Sequence, residues 1–314
     1  MRVCHRELGS RVILHAMESR AEIFDSTRPL LFSIAYRMLG SVMDAEDVVQ
    51  DAYVRWQGAT ESEVRSPRAF LATIVTRLAI NHLRSAQSKR YAYAGPWLPE
   101  PIVTEPASDP STTLELAESL SMAFLVLLER LSPIERAVFL LREVFDFEYA
   151  EIARIVDKSE ANCRQLFARA RKRLGAPGTR FAADRAQADR LVQRFTQAAE
   201  AGEMEGLLAV LAEDITLWAD GGGQVPGAAL KPVRGATSVA RFVLGILRGF
   251  VPAESTVQPA EINGQPGFIA YVAGRPLAAM IFDIRDGRIQ TIYAVGNPDK
   301  LRNLPSLTNH GVKR

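Results

Sequence analysis

Cysteine is nearly absent from this chain of 314 residues: the 2 present, Cys4 and Cys163, lie far apart, which excludes a disulfide framework and any thiolate metal spacing. Histidine is as scarce, with 4 scattered singly, so neither a metal centre nor a bound cofactor is expected. Long apolar runs are missing as well. Nothing approaches the ~18 residues of a membrane span, and Arg2, Arg6, Glu7, Arg11, Glu18 and Arg20 interrupt the start of the chain, so no signal-peptide core forms there. A cytoplasmic protein without a membrane partner is the expectation.

A strong excess of one charge is also lacking, since the formal net charge is only +2. The distribution of charge says more. Arg65, Arg68, Arg77, Arg84, Lys89 and Arg90 follow one another without an acidic residue, and Lys158, Arg164, Arg169, Arg171, Lys172, Arg173 and Arg180 are opposed only by Glu160. Two separated basic stretches suit a protein that grips a polyphosphate at two places. With 47% hydrophobic and 24% charged residues the chain can bury ordinary cores, and its length allows about two or three domains.

Helical periodicity dominates the first half. A helix near Pro29 to Leu39 buries Leu30, Leu31, Ile34, Ala35 and Met38 and stops at Gly40. A second, capped by Asp44, carries the stripe Ala45, Val48, Val49, Ala52, Tyr53 and Trp56, with Asp47, Gln50 and Asp51 on its polar face. A third opens at Ser66-Pro67 and runs through Phe70, Leu71, Ile74, Val75 and Leu78. Five prolines between 91 and 111 then predict an extended linker and not a packed element. Helical pattern returns at 112, with a capping box at Ser132-Pro-Ile-Glu135.

The stretch 146–174 predicts a helix-turn-helix. Tyr149, Ile152, Ala153 and Val156 form one apolar face, Asp157-Lys158 turns the chain, and Ser159 caps a helix whose inward stripe is Cys163, Phe167, Ala170 and Leu174. Its outward side chains, Asn162, Arg164, Gln165, Arg169, Arg171 and Lys172, suit base edges and phosphates of a major groove. After Gly178 come two helices near 183–201 and 203–212, a strand at Ile215 to Asp220, another helix, and four strands with tight turns at Asn263-Gly264 and Asp286-Gly287. This last part reads as α+β, an antiparallel sheet with helices on one face.

Asp44-Ala-Glu-Asp-Val-Val-Gln-Asp51 and Ser66-Pro-Arg-Ala-Phe70 through Asn81-His-Leu-Arg84 resemble region two of the extracytoplasmic-function sigma factors. Leu131-Ser-Pro-Ile-Glu135, Tyr149-Ala-Glu-Ile152 and Arg169-Ala-Arg-Lys-Arg-Leu174 resemble their region four. The resemblance implies core RNA polymerase and promoter DNA as partners. It gives Asp47, Gln50 and Asp51 to polymerase docking, and Arg77, Asn81, Arg84, Lys89 and Arg90 to the melted minus-ten strand. Asn162, Arg164, Gln165, Arg169, Arg171 and Lys172 would read the minus-thirty-five element.

Three further motifs are similar to those of sigma factors with a fused SnoaL-like domain, the sigma-J-like group: Trp97-Leu98-Pro99-Glu-Pro101, Asp220-Gly221-Gly222-Gly223 and Asn297-Pro298-Asp299-Lys300-Leu301. Gln224 departs from the basic residue expected after the glycines. The fold expected is multidomain: two all-α domains, a region-two helical bundle and a region-four helix-turn-helix, followed by an α+β SnoaL-like cone-shaped barrel. The expected boundaries are an N-terminal extension at 1–20, region two at 21–92, a Pro-rich linker at 93–111, region four at 112–176 and the SnoaL-like regulatory domain at 184–314. The first sixteen residues fall outside the resemblance, which makes Met17 an alternative start.

The expected activity is promoter-directed initiation by a non-enzyme, monomeric when free, with the three motifs forming a regulatory interface and an unidentified small ligand as a further candidate partner of the C-terminal domain. Two other readings stay open. A ligand-responsive helix-turn-helix regulator leaves region two unexplained. A SnoaL-type enzyme would have Asp220 as its one candidate acid–base residue, because His310 lies in the polar tail.

Overall fold

The computed structural model describes residues 4–60, 64, 66–91, 93–104, 120–175 and 185–307, except the side chains of 4–19 and 87–91. The chain divides into two compact units, Met1–Ser85 with Leu131–Arg173 and Ala86–Arg130 with Leu174–Arg314.

The first unit is helical. Helix α1 (Cys4–Leu39) continues through Pro29 instead of starting there. The proline lacks the amide that would bond the Asp25 carbonyl, and one turn earlier the Ser26 and Thr27 hydroxyls both donate to the Ile23 carbonyl. Helix α2 (Val42–Gly58) is capped by Ser41, whose hydroxyl accepts from the Asp44 amide, so Asp44 lies inside the first turn. Its buried residues are Ala45, Val48, Val49, Ala52 and Trp56, the period expected of it. Helix α3 (Pro67–Tyr91) buries Leu71, Ala72, Val75, Ala79, Ile80 and Leu83. Phe70, Ile74 and Leu78 are only half-buried, although the Phe70 ring centroid lies 5.9 Å from that of Trp56 on α2.

Helix α4 (Met122–Leu128) belongs to the second unit, whereas α5 (Pro133–Glu143), α6 (Tyr149–Val156) and nearly all of α7 (Glu160–Leu174) belong to the first. The capping box at Ser132 and Glu135 is formed in both directions. Asp157 takes the left-handed conformation, φ 55°, that closes α6 and aims the chain into α7. Cys163, Leu166 and Ala170 are the buried face of α7; Phe167 is half-buried and stacks on Phe139 with 5.9 Å between ring centroids.

The second unit is built on a six-stranded sheet in the order β2-β1-β6-β5-β4-β3. The strands are β1 (Leu211–Asp220), β2 (Val233–Arg234), β3 (Thr256–Ile262), β4 (Gln265–Val272), β5 (Arg275–Arg285) and β6 (Arg288–Val295). Neighbours pair antiparallel except β1 and β6, which are parallel, so the sheet is mixed and not wholly antiparallel. Strand β6 has both edges bonded and buries Ile289, Ile292, Tyr293 and Val295 on its two faces; an interior slot beside β1 is the one that satisfies such a strand. Asn263-Gly264 and Asp286-Gly287 make the expected tight turns with positive φ, as does Ala273-Gly274.

One face of the sheet is covered by α8 (Arg185–Ala201), α9 (Met204–Val210) and α10 (Ala236–Gly249). That side is filled by apolar side chains, among them Phe195 and Phe268, which lie 5.2 and 5.8 Å from Phe282. The opposite face is not solvated. Leu98, Met122, Ala123, Leu301 and Leu304 pack there against Ile269, Ile281, Tyr293 and Val295.

Candidate core-polymerase and promoter interface with its buried lock

Helix α2 turns an unusual face to solvent. Asp47, Gln50 and Asp51 are exposed, and Met43 and Val54, spaced along the same side, are 54% and 63% exposed. An exposed stripe that mixes carboxylates with two large apolar side chains is unlike an ordinary solvated helix face. The sequence reading found the acids but missed Met43 and Val54, which belong to the polar side of the periodicity and carry no signal of their own.

On α7, Asn162, Arg164, Gln165, Arg169, Arg171 and Lys172 are all exposed. Two of the arginines already have partners. Arg164 pairs with Glu160 at 2.9 Å and lies 5.0 Å from the Tyr149 ring centroid, while Arg169 stands 4.0 Å from Glu135. Glu135, missed as a functional residue, also accepts from Arg173 at 2.7 Å, so the capping residue of α5 holds the base of the recognition helix. Burial pushes its carboxyl up, but the Ser132 hydroxyl and amide and the Arg173 and Arg169 guanidinia outweigh that and hold it below the usual carboxylate value.

Asn81 and Arg84 are exposed on α3. The side chains of Lys89 and Arg90 lie outside the described residues. Arg77, expected to hold a nucleic-acid strand, is instead bonded within the protein: its Nε donates to the Ile155 carbonyl at 2.9 Å and a terminal nitrogen to the Arg154 carbonyl at 2.8 Å.

The three motifs of the second unit meet at one carboxylate. Asp220 is 1% exposed at the end of β1. Its Oδ1 accepts from the Tyr93 hydroxyl at 2.5 Å and the Gly222 amide at 3.1 Å; its Oδ2 accepts from the Leu98 amide at 2.8 Å and Lys300 Nζ at 2.7 Å. Lys300 also donates to the Leu98 carbonyl, and its Nζ lies 4.0 Å from the Trp97 ring centroid, which gives the half-buried Trp97 a cation partner. Asn297 donates to the Tyr93 hydroxyl at 2.8 Å and caps the short helix Pro298–Lys300 by accepting from the Asp299 amide; Pro298 and Asp299 themselves are exposed. Burial and the carboxylate together raise the Tyr93 phenol well above its ordinary value, which keeps it a donor.

The glycines serve close approach. Gly222 has φ 59°, and a Cβ there would stand 2.4 Å from Asn297 Nδ2; one on Gly221 would stand 2.6 Å from Ala228 Cβ, and one on Gly223 2.9 Å from Ala94 Cβ. Gln224, where a basic residue was expected, donates to Asp299 at 3.1 Å, so a neutral donor reaches the carboxylate there.

Of the proline-rich segment, residues 93–104 are extended, as expected, but also packed, while Pro106 and Pro110 lie outside the described residues. Pro99 and Pro101 are buried with Leu98; Val103 bridges Ile262, the Asn263 amide donates to the Ile102 carbonyl at 2.8 Å, and the Asn263 side chain accepts from the Ile102 amide and donates to the Leu120 carbonyl. Prolines suit this role because they have no amide to leave unpaired when buried. Gln265 accepts from the Met122 amide at 2.7 Å, which fixes the start of α4 on the sheet.

Comparison with known proteins agrees with these features. The Sigma-70 region 2 family matches residues 23–89 and the Sigma-70 region 4 family residues 121–174. The chain is 38% identical over 294 residues to the ECF RNA polymerase sigma factor SigJ of Mycobacterium tuberculosis, covering 90% of this chain and 93% of that one. It is 28% identical over 281 residues to the probable ECF RNA polymerase sigma factor SigI of the same organism, covering 87% and 92%. The crystal structure of M. tuberculosis SigJ is similar with a TM-score of 0.69 and 36% identity, covering 89% of this chain and 97% of the other. With both sigma-70 regions matched and 38% identity over nine-tenths of the chain to one such factor, the protein belongs to the extracytoplasmic-function RNA polymerase sigma factors.

Proposed function

We propose that the chain docks on core RNA polymerase through Met43, Asp47, Gln50, Asp51 and Val54, holds the melted minus-ten strand with Arg77, Asn81, Arg84, Lys89 and Arg90, and reads the minus-thirty-five element with Asn162, Arg164, Gln165, Arg169, Arg171 and Lys172. The observation that carries this reading is the pairing, in one helical unit, of an exposed acidic and apolar face with a basic recognition helix. Two partners of opposite charge need two such surfaces. Holoenzyme reconstituted from core polymerase and this protein should select a defined promoter sequence; failure to bind core at low salt would sink the proposal.

The C-terminal domain modulates the sigma module in cis. Residues 93–104, between the region-two and region-four matches, and α4, at the start of the region-four match, belong to the compact unit of that domain and are bonded there by Asp220, Asn263 and Gln265. The freedom of the two DNA-reading regions to separate is thereby set by how firmly the sheet keeps this segment. Within one chain even a weak interface is populated, because effective concentrations reach roughly the millimolar range. Truncation near 180 and truncation near 296 should give different transcription rates; equal rates and equal core affinity for both and for the full chain would remove this role. Catalysis at Asp220 is not supported, since both its oxygens are committed to protein donors.

A further inference from the structure

Tyr149 opens α6 half-buried, and its ring is shared by an arginine from each neighbouring helix. The Arg142 guanidinium of α5 lies 5.3 Å from the ring centroid and the Arg164 guanidinium of α7 lies 5.0 Å from it. Phe167 meets the same ring edge-on at 6.3 Å and stacks in turn on the buried Phe139, 5.9 Å away. The tyrosine therefore joins the core beneath the helix-turn-helix to an exposed arginine of its recognition helix.

Two like charges beside one ring repel unless each is matched, and each is. Arg142 stands 3.3 Å from a Glu148 carboxylate oxygen and 3.5 Å from one of Asp146, and it donates to the Phe147 carbonyl at 3.0 Å. Arg164 donates from one terminal nitrogen to Glu160, one turn earlier on α7, at 2.9 Å. Arg142 is thus fixed by the connection between α5 and α6, and the ring is fixed between Arg142 and Phe167. Arg164 is the outermost member of the set, with its side chain 57% exposed, and among the described residues Glu160 is its one hydrogen-bond acceptor.

An arginine side chain has many rotamers, and ordering it at the moment of binding weakens the contact it makes. Arg164 is ordered beforehand, because the ring holds its charge and the carboxylate holds one end of its fork. The distinction matters for what the arginine can read. A bidentate contact to a guanine edge needs the fork in one direction, whereas a phosphate attracts a positive charge from many.

We propose that Tyr149 is a positioning residue for base readout: its ring, together with Glu160, sets the direction of the Arg164 fork. Selectivity at one position of the minus-thirty-five element then depends on an aromatic side chain of the first helix of the helix-turn-helix. The inference rests on the role in reading that element proposed above for Arg164.

The test uses holoenzyme reconstituted with the full chain and competition among promoters in which each base pair of the minus-thirty-five element is substituted in turn. Arg164→Ala should lower discrimination at one base position by about tenfold. Tyr149→Leu should lower it at that same position by about threefold, the size of one exposed cation–π contact, and leave the other positions unchanged. Tyr149→Phe, which keeps the ring, should restore the discrimination, and Tyr149→Leu added to Arg164→Ala should lower it no further. Glu160→Gln should relax the same position, and it carries the measurement if Tyr149→Leu fails to fold by circular dichroism. Arg164→Ala without a base-selective loss would remove the reading role of this arginine, and the positioning role with it. A base-selective loss in Arg164→Ala beside full discrimination in folded Tyr149→Leu, or in Glu160→Gln where the leucine variant does not fold, would overturn the positioning role alone. So would a Tyr149→Leu loss spread evenly over every position, the mark of a merely structural residue. Weaker binding of all promoters alike by Tyr149→Phe would also overturn it, by giving the hydroxyl to a phosphate.

Discussion

Asp47 and Asp220 show how differently the two units use a carboxylate. Asp47 stands exposed on α2 beside Met43 and Val54, whereas Asp220 is buried with both oxygens bonded and a lysine beside it. A carboxylate buried in this way holds a fold together: its desolvation is offset only while every partner stays in place. An exposed one adds little to stability and is available to a partner. The charge on Asp220 is therefore architectural, whereas the charge on Asp47 is open to a partner.

Removing one partner from the buried pair is the strongest way to break that contrast. Asp220→Ala or Lys300→Met should cost about 3–5 kcal/mol of the second unit's stability, because the remaining charge is left buried and unpaired. Urea unfolding followed through Trp97 and Trp218 fluorescence measures it. A loss no larger than that of an exposed pair would mean that the lock is not structural.

The recognition helix comes next. Alanine at Gln165 or Arg169 should relax preference at a base of the minus-thirty-five element by about 1–3 kcal/mol, while alanine at Lys172 should weaken all sequences alike. Competition between cognate and scrambled promoters separates the two behaviours. Equal losses on both by all three variants would leave the helix gripping only phosphate.

Glu135 lies between these extremes, buried yet tied to the exposed arginines of α7. Its carboxyl is held below 4.5 in the folded protein, so the unfolded chain binds the proton more readily. The stability it contributes is then complete above 4.5 and is lost as pH falls through the lower folded value. Glu135→Gln should cost about 1 kcal/mol at neutral pH and flatten the acid side of the first unit's urea-midpoint profile. An unchanged acid limb would show that Arg173 and Arg169 do not bind the carboxylate in solution.

The smallest effect on stability belongs to α2. Reversing charge at Asp47 and Asp51 should change unfolding free energy by less than ~0.5 kcal/mol while weakening the affinity for core polymerase, as read by a binding titration at low salt. Extending the reversal with Val54→Ser should weaken it further. Core affinity that ignores all three positions would move the docking surface elsewhere.

Legibility in the sequence followed the range of the interaction. Helix caps at Ser66 and Ser132, the turn at Asp157, the hairpins at Asn263-Gly264 and Asp286-Gly287 and the stripes of α2 and α6 depend on neighbours within a few residues, so local pattern was enough. The cap of α2 moved from Asp44 to Ser41 and α1 ran through Pro29 because packing can override a local preference. Among the candidate site residues, Asp47, Gln50, Asp51 and the recognition-helix residues lie exposed on their helices as the period predicted. Arg77 is exposed as well, but its hydrogen bonds to α6 were not legible, because its acceptors lie 77 and 78 positions away.

By itself, then, the sequence determined the helices and strands, the exposed chemistry of α2 and α7, and the family, all of which rest on short spacings and on motifs kept in order. Only the tertiary structure decided that residues 93–104 are packed, that α4 lies on the sheet, and that Tyr93, Leu98, Asn297 and Lys300 gather around the buried Asp220. It also decided that Arg77 and Arg136 cap helices of the opposite region. The physical reason is common to all of these: a polar group must find a partner, and which donor reaches which acceptor across 77 to 204 positions is set by the packing of whole elements and leaves no periodic trace in the chain.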